Sequence, residues 1–197
     1  GYRNLVKLIS QANLKGFFYT PRIDKDLLSK YHDGLIACSA CLGGEIPQLI
    51  MNRGEDEALK SIEWYKSLFG DDYYLEMMDH GLPEQKQVNE VLVRLSQKTG
   101  VKLIATNDVH YVHKEDFEAH KILIRINTNK DDNDDLYYTG NEYLKSYEEM
   151  MALFGDHPEA LANTVEIADK IEEFSIEHDV MLPVYPTPAE FSSDFEY

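Results

Sequence analysis

The chain has 197 residues, 43% of them hydrophobic and 28% charged, a size and composition that fit one globular domain able to bury roughly 70% of its unfolded surface. No apolar run approaches the roughly 18 residues a membrane-spanning helix needs, and no apolar signal core with a small-residue cleavage site follows GYRNLVKLIS, so neither a membrane span nor a secretion signal is expected. The formal charge of −17 repels a phosphate backbone unless metal ions or a separate basic element intervene; solubility is its plainer reading, and the chain alone is not expected to bind DNA well.

Leu5, Leu8, Ile9 and Ala12 fall at helical spacing and predict a half-buried helix over 2–14, stopped by Gly16. After the aromatic loop GFFYTPR, Asp24 is placed to cap a short helix through Leu27, Leu28 and Tyr31, and Asp33-Gly34 marks a turn. LIACSA is short and continuously apolar, as suits a strand buried on both faces. Helices follow over 46–51 and 55–69, the second ended by Gly70. The unit then repeats: strand YYLEMM, loop DHGLPE with Pro83 in a first helical turn, a helix through Val88, Val91, Leu92 and Leu95, and Gly100 as terminator.

KLIAT supplies a third strand. A helix over 115–127 turns Phe117, Ile122, Leu123 and Ile126 to its buried side, and helices over 147–154 and 159–174 follow. The aspartate-rich stretch 129–140 lacks the glycine and terminal glutamate of an EF-hand at the required offsets, and reads as a solvated loop rather than a calcium site. Strands alternating with helices at about 30-residue intervals imply right-handed βαβ crossovers and a parallel sheet. Three strands are too few for an eight-stranded barrel, which usually takes about 250 residues, so the expected fold class is α/β: part of a βα barrel over 1–180. The prolines of LPVYPTP predict an extended linker over 181–197.

In α/β sheets and barrels functional side chains collect at the carboxyl ends of strands. Just past KLIAT stand Asp108 and His110; in an extended chain residues two apart point to one side, so carboxylate and imidazole reach a common cation, although such pairs also form a mere hydrogen bond. Cys41, at the end of the first strand in ACSACLGGE, offers a thiolate suited to a metal such as zinc, set against the usual role of free cysteine as a small buried hydrophobe. Cys38 is assigned that buried role. The C-x-x-C spacing of the two is that of a redox pair, but the strand-end setting beside Gly43-Gly44 sets it apart from that motif. His80 in MMDHG is placed as an outer ligand or, more ordinarily, a loop cap, while His32, His113, His120, His157 and His178 read as solvent-facing. Two neighbouring cysteines make no disulfide framework and fit a reducing cytoplasm. No phosphate-binding or nucleotide-binding glycine motif and no nucleophile elbow is present.

The stretches GYRNLVKLIS, KGFFYTPRID, GLIACSACLGGEIP, YYLEMMDHGLPEQKQVNE, LIATNDVHY, YLKSYEEMM and LPVYPTP cover nearly the whole chain in order. Together they resemble the alpha subunit of bacterial DNA polymerase III, in particular the C-terminal half of its PHP (polymerase and histidinol phosphatase) domain. The resemblance implies a distorted βα barrel holding divalent metal ions, zinc, manganese or iron, at its strand ends. It maps Asp108 and His110 onto the family's last metal motif and Cys41 onto an earlier ligand position, with His80 as a further candidate. It implies the two-metal logic of phosphoester hydrolysis, used for 3′ to 5′ proofreading in some members and replaced in others by a scaffold that docks a separate exonuclease. Retention of the final histidine implies that the parent keeps a metal site.

The family's upstream H-x-H, its following histidine and glutamate, and the polymerase's catalytic aspartates have no counterpart here, so this stretch alone is expected neither to polymerise nor to hydrolyse. The implied parent is a DNA-directed DNA polymerase, a nucleotidyltransferase of DNA replication, with DNA and other replicase subunits as partners. A non-catalytic docking module is the competing reading, and an unrelated metallohydrolase of small phosphoesters a third. The open edge of a partial barrel predicts self-association, visible in sedimentation as a mass that rises with concentration; a concentration-independent monomer would count against it.

Overall fold

A computed structural model describes residues 1–128, 138–177, 179–180, 186–193 and 195–196. Most of the aspartate-rich stretch, His178 and residues 181–185 of the expected linker lie outside the described residues.

Sequence punctuation sets most element boundaries. Helix α1 (Tyr2–Leu14) buries Leu8 and Ala12. Helix α2 (Lys25–Tyr31) starts where Asp24 accepts a hydrogen bond from Leu27 N at 2.8 Å, which satisfies one of the free donors of the first turn. Strand β1 (Ala37–Cys38) leads to α3 (Glu45–Arg53) and α4 (Glu55–Phe69). Gly70 (φ 58°) opens a 3₁₀ turn before β2 (Tyr73–Met77). Pro83 begins α5 (Pro83–Thr99), left-handed Gly100 ends it, and β3 (Lys102–Ala105) follows. A 3₁₀ turn at Lys114–Asp116 precedes α6 (Phe117–Thr128). Helix α7 (Tyr147–Phe154) opens on a reciprocal Ser146/Glu149 capping box, and α8 (Pro158–Asp169) on proline.

The strands form one parallel sheet in the order β1-β2-β3, with Ala37 beside Tyr73 and Tyr74 beside Lys102 at the ends of the two ladders. This is the α/β class the alternation predicts. On one side of the pleat Tyr73, Leu75, Met77, Leu103 and Ala105 join a core with Ile46, Ile62, Leu92, Leu95, Phe154 and Leu161 from the helices. Tyr74 and Ile104, on the other side, are buried as well. Helix α8 is tied to the sheet by Asn163 Nδ2, which donates to Leu103 O at 2.8 Å, and by Tyr74 OH, which donates to Glu166 at 3.0 Å. Parallel pairing sends every strand's carboxyl end to the same rim, where the candidate ligands follow.

Three expectations need correction. The first strand is an edge strand with exposed Cys38, not a strand buried on both faces, because only β2 pairs with it among the described residues. In α6 the helix is present, but Ile122, Leu123 and Ile126 are exposed: no described element covers its apolar stripe. Helix α8 ends at Asp169 rather than near 174, where Lys170 reaches back to Asp71 O at 2.7 Å and the Asp72 carboxylate at 2.9 Å. No helix among the described residues is long and apolar enough to cross a membrane.

Candidate functional site

Cys41 follows β1 in a tight loop. Ala40 has φ 62°, an uncommon conformation for a residue with a side chain, and Ser39 fixes the loop twice, donating its N–H to Tyr74 O at 3.0 Å and accepting from Glu76 N at 2.8 Å. Gly44 must be glycine, since a Cβ there would lie 2.3 Å from Ser39 O. The half-buried Cys41 borders a narrow crevice with Glu76, Met78 and Gln85. Cys38 is the poorer thiolate: although its surface is exposed, the protein around the sulfur, aided by the Glu76 charge, pushes the thiol up to about 11.

Asp108 and His110 follow β3, and both are exposed. Their proximity does not come from an extended chain, because Asp108 itself is left-handed at φ 44°. The turn it makes lets His110 Nδ1 donate to Asp108 O at 2.6 Å. A carbonyl can only accept, so Nδ1 carries a proton, and the neutral ring then has its lone pair on Nε2, the tautomer that histidine ligands adopt when a backbone carbonyl holds the other nitrogen. Among the described residues neither His110 Nε2 nor the Asp108 carboxylate has a hydrogen-bond or ion-pair partner. Strained non-glycine backbone at Ala40 and Asp108 thus sits beside or within both candidate ligand positions.

A buried polar network holds this loop, and none of it but His80 is visible in the sequence motifs. His80 is 6% exposed, donates from Nε2 to Asn107 O at 2.8 Å and accepts at Nδ1 from Gln85 Nε2 at 3.1 Å. Both ring nitrogens are therefore engaged, and His80 acts as the anchor of the loop. Asn107 donates to Tyr143 O at 2.5 Å and Asn141 O at 3.3 Å and accepts from Lys145 Nζ at 2.8 Å. Burial pushes the Lys145 ammonium below its ordinary value, against the pull of nearby Glu149, Glu142 and Asp79.

Glu142 is 3% exposed, and its carboxylate accepts from Thr139 N (2.9 Å), Thr139 Oγ1 (3.0 Å), Gly140 N (3.1 Å) and Tyr111 OH (3.3 Å). Burial raises its pKa, but the hydrogen-bond donors, those of Thr139 first, outweigh it and hold the carboxyl below its ordinary value. His120, expected to face solvent, is instead half-buried against His110 and Tyr138, with ring centroids 5.8 and 4.9 Å away. The arrangement joins Asp108 to His110 through the turn. Among the described residues no three His, Cys, Asp or Glu side chains gather closely enough to hold a metal ion, so Cys41 is not part of one closed cluster with them.

The family model of the PHP domain matches residues 1–80, which include Cys41 and His80. Over 201 aligned residues, taking in all of the chain, it is 50% identical to the DNA polymerase III subunit alpha of Borreliella burgdorferi. The corresponding protein of Treponema pallidum is 42% identical over the whole chain, and that of Thermus aquaticus 47% identical over 85% of it. The chain belongs to the DNA polymerase III alpha-subunit family. It spans less than a fifth of the length of these relatives, 18% of the Borreliella protein and 14% of the Thermus one. The three-stranded open sheet is a partial PHP-type α/β barrel, and Asp108 and His110 lie beyond the PHP match in sequence shared with the alpha subunits.

Proposed function

We propose that this alpha-subunit segment supplies Cys41, Asp108 and His110 to a divalent-metal centre of a PHP domain, for zinc, manganese or iron, in a cytoplasmic DNA-directed DNA polymerase. The observation that carries the reading is the His110 ring: Nδ1 donates to Asp108 O, while Nε2 and the exposed Asp108 carboxylate have no partner among the described residues. His80, with both nitrogens bonded, has the supporting role. A bound divalent cation supplies Lewis-acid activation of a phosphoester and of water. The chain's own part is to fix the imidazole tautomer and hold the loop through Asn107 and Glu142, leaving the carboxylate unencumbered. In the whole subunit, with ligands from outside this segment and with DNA and other replicase subunits as partners, such a centre fits 3′ to 5′ proofreading; the segment alone lacks enough ligands to hydrolyse.

The bare apolar stripe of α6 favours a second reading, a docking module for the polymerase core or a separate exonuclease. The whole alpha subunit separates the two. Elemental analysis of purified protein should find divalent metal that His110→Gln depletes, and Asp108→Ala should slow removal of a mismatched 3′ nucleotide by at least about a hundredfold while primer extension continues. A metal-free parent subunit, or excision unaffected by Asp108→Ala, would overturn the metal reading and leave the docking one.

A further inference from the structure

We propose that residues 1–31 form a contact site for single-stranded nucleic acid, with cations of α1, α2 and the intervening loop meeting phosphates while Phe17, Phe18 and Tyr19 stack on bases. The charge is strongly divided. The first 30 residues carry six Lys/Arg against two Asp, a net +4, while the other residues carry thirteen against 34, a net −21. Outside this segment Lys60, Arg94, Lys102, Lys121 and Lys170 are each paired with a carboxylate, and the remaining described cations, Arg53 and Lys86 among them, are dispersed over a surface that is acidic overall. Within the first 30, Lys25 is paired with Glu45. Among the described residues Arg3, Lys7, Lys15, Arg22 and Lys30 have no carboxylate within 4.0 Å. Lys15, Arg22 and Lys30 line an open cleft of about 510 Å³ between α1 and α2 together with Asp24 and Asp26, three cations against two carboxylates, and the Asp24 carboxylate is already engaged in capping α2.

Three consecutive aromatic side chains project from the same place, Phe17 at 61%, Phe18 at 64% and Tyr19 at 86% exposure. The loop that carries them is held in shape. A Cβ on Gly16 would fall 2.0 Å from Arg22 O, Phe18 N donates to Thr20 O at 3.1 Å, and the Arg22 guanidinium donates to Phe18 O at 2.6 Å while lying 4.9 Å from the Phe18 ring centre. Rings fixed in advance lose little conformational entropy on binding. Unpaired cations beside exposed aromatic faces are the two components of single-strand recognition, since every unstacked base offers a π-face and every linkage a charge. A duplex keeps its bases stacked and can use only the cations. The site is the separate basic element that the overall charge otherwise lacks, and it does not depend on the metal reading.

Fluorescence anisotropy of a 5′-labelled oligothymidylate of about 20 nucleotides, with the 197-residue chain in EDTA at rising salt, tests the proposal without any metal. Combined K15A, R22A and K30A should weaken binding at least about tenfold and flatten the slope of log affinity against log salt by about 2, at roughly 0.7 per phosphate contact. Combined F17A, F18A and Y19A should weaken it at least about tenfold and leave the slope unchanged. A control removing Arg53, Lys86 and Lys98 should bind like the parent, and all variants should keep its circular dichroism and melting temperature. Absence of binding at about 50 mM salt, parent-like binding by either test variant, or equal loss in the control would overturn the site. Loss of a protein contact in the aromatic variant with DNA binding intact would assign the loop to a protein partner and overturn it too.

Discussion

Replacing Glu142 with glutamine should lower the stability of the chain by about 2–3 kcal/mol at pH 7, a fall in melting temperature of roughly 4–12 °C by calorimetry. The carboxylate is an acceptor only, and each oxygen faces two donors: Thr139 N and Oγ1 at one, Gly140 N and Tyr111 OH at the other. Glutamine turns one of those oxygens into an amide nitrogen, so whichever way the amide sits, one backbone N–H points at another donor in a buried place. The effect has a pH signature. Glu142 is held below its ordinary value of 4.5, so its stabilisation is complete above that value and is lost as pH falls through the lower folded one. The gap between parent and variant should therefore be widest near neutrality and narrow below about pH 4.5. An equal gap at pH 3 and pH 7 would show that the charge contributes nothing.

Leu92→Ala should be the costlier change, about 3–4 kcal/mol, or roughly 6–16 °C of melting temperature. Leu92 is fully buried on α5, in the core shared with β2, β3 and α4, where a deleted isobutyl group leaves a cavity that close-packed neighbours cannot fill. Leu123→Ala on α6 is the matched comparison. Its side chain is 64% exposed, so the same deletion should change stability by less than about 0.5 kcal/mol. Comparable losses at the two positions would mean that the α6 stripe is covered in solution.

The contrast between those two leucines shows how far the sequence can be read. Helical spacing, Asp24, Pro83, Gly70 and Gly100 are local signals, and the elements they delimit are where they predict. What a stripe packs against is not local. Ile122, Leu123 and Ile126 carry the same pattern as Val91, Leu92 and Leu95, and only the structure tells covered from bare. The site divides in the same way. Asp108 and His110 stand out as a spaced pair at a strand end, but the groups that hold them come from far along the chain: 36 residues separate Asn107 from Tyr143, and 61 separate His80 from Asn141. A glutamate such as Glu142, in a solvated-looking stretch of a chain rich in acidic residues, gives no sign that it is buried. Nor did the pattern disclose the left-handed turn at Asp108, which short polar side chains tolerate without requiring.

The junction between residues 110–111 and 142–144 closes a loop. His110 N and Tyr111 N donate to Glu142 O at 2.8 and 3.4 Å, and Leu144 N returns a hydrogen bond to Tyr111 O at 3.2 Å. The polypeptide thus leaves and re-enters the domain at one point, with α6 carried on the excursion between. For a chain clasped at its base, doubling the length of the excursion costs only about 0.6 kcal/mol in closure entropy. Insertions or a single cut toward the C-terminal end of α6, beyond the His120 ring that packs on His110, can therefore be absorbed there, which makes this end of the excursion a natural point for grafting a tag or a reporter domain into the parent subunit.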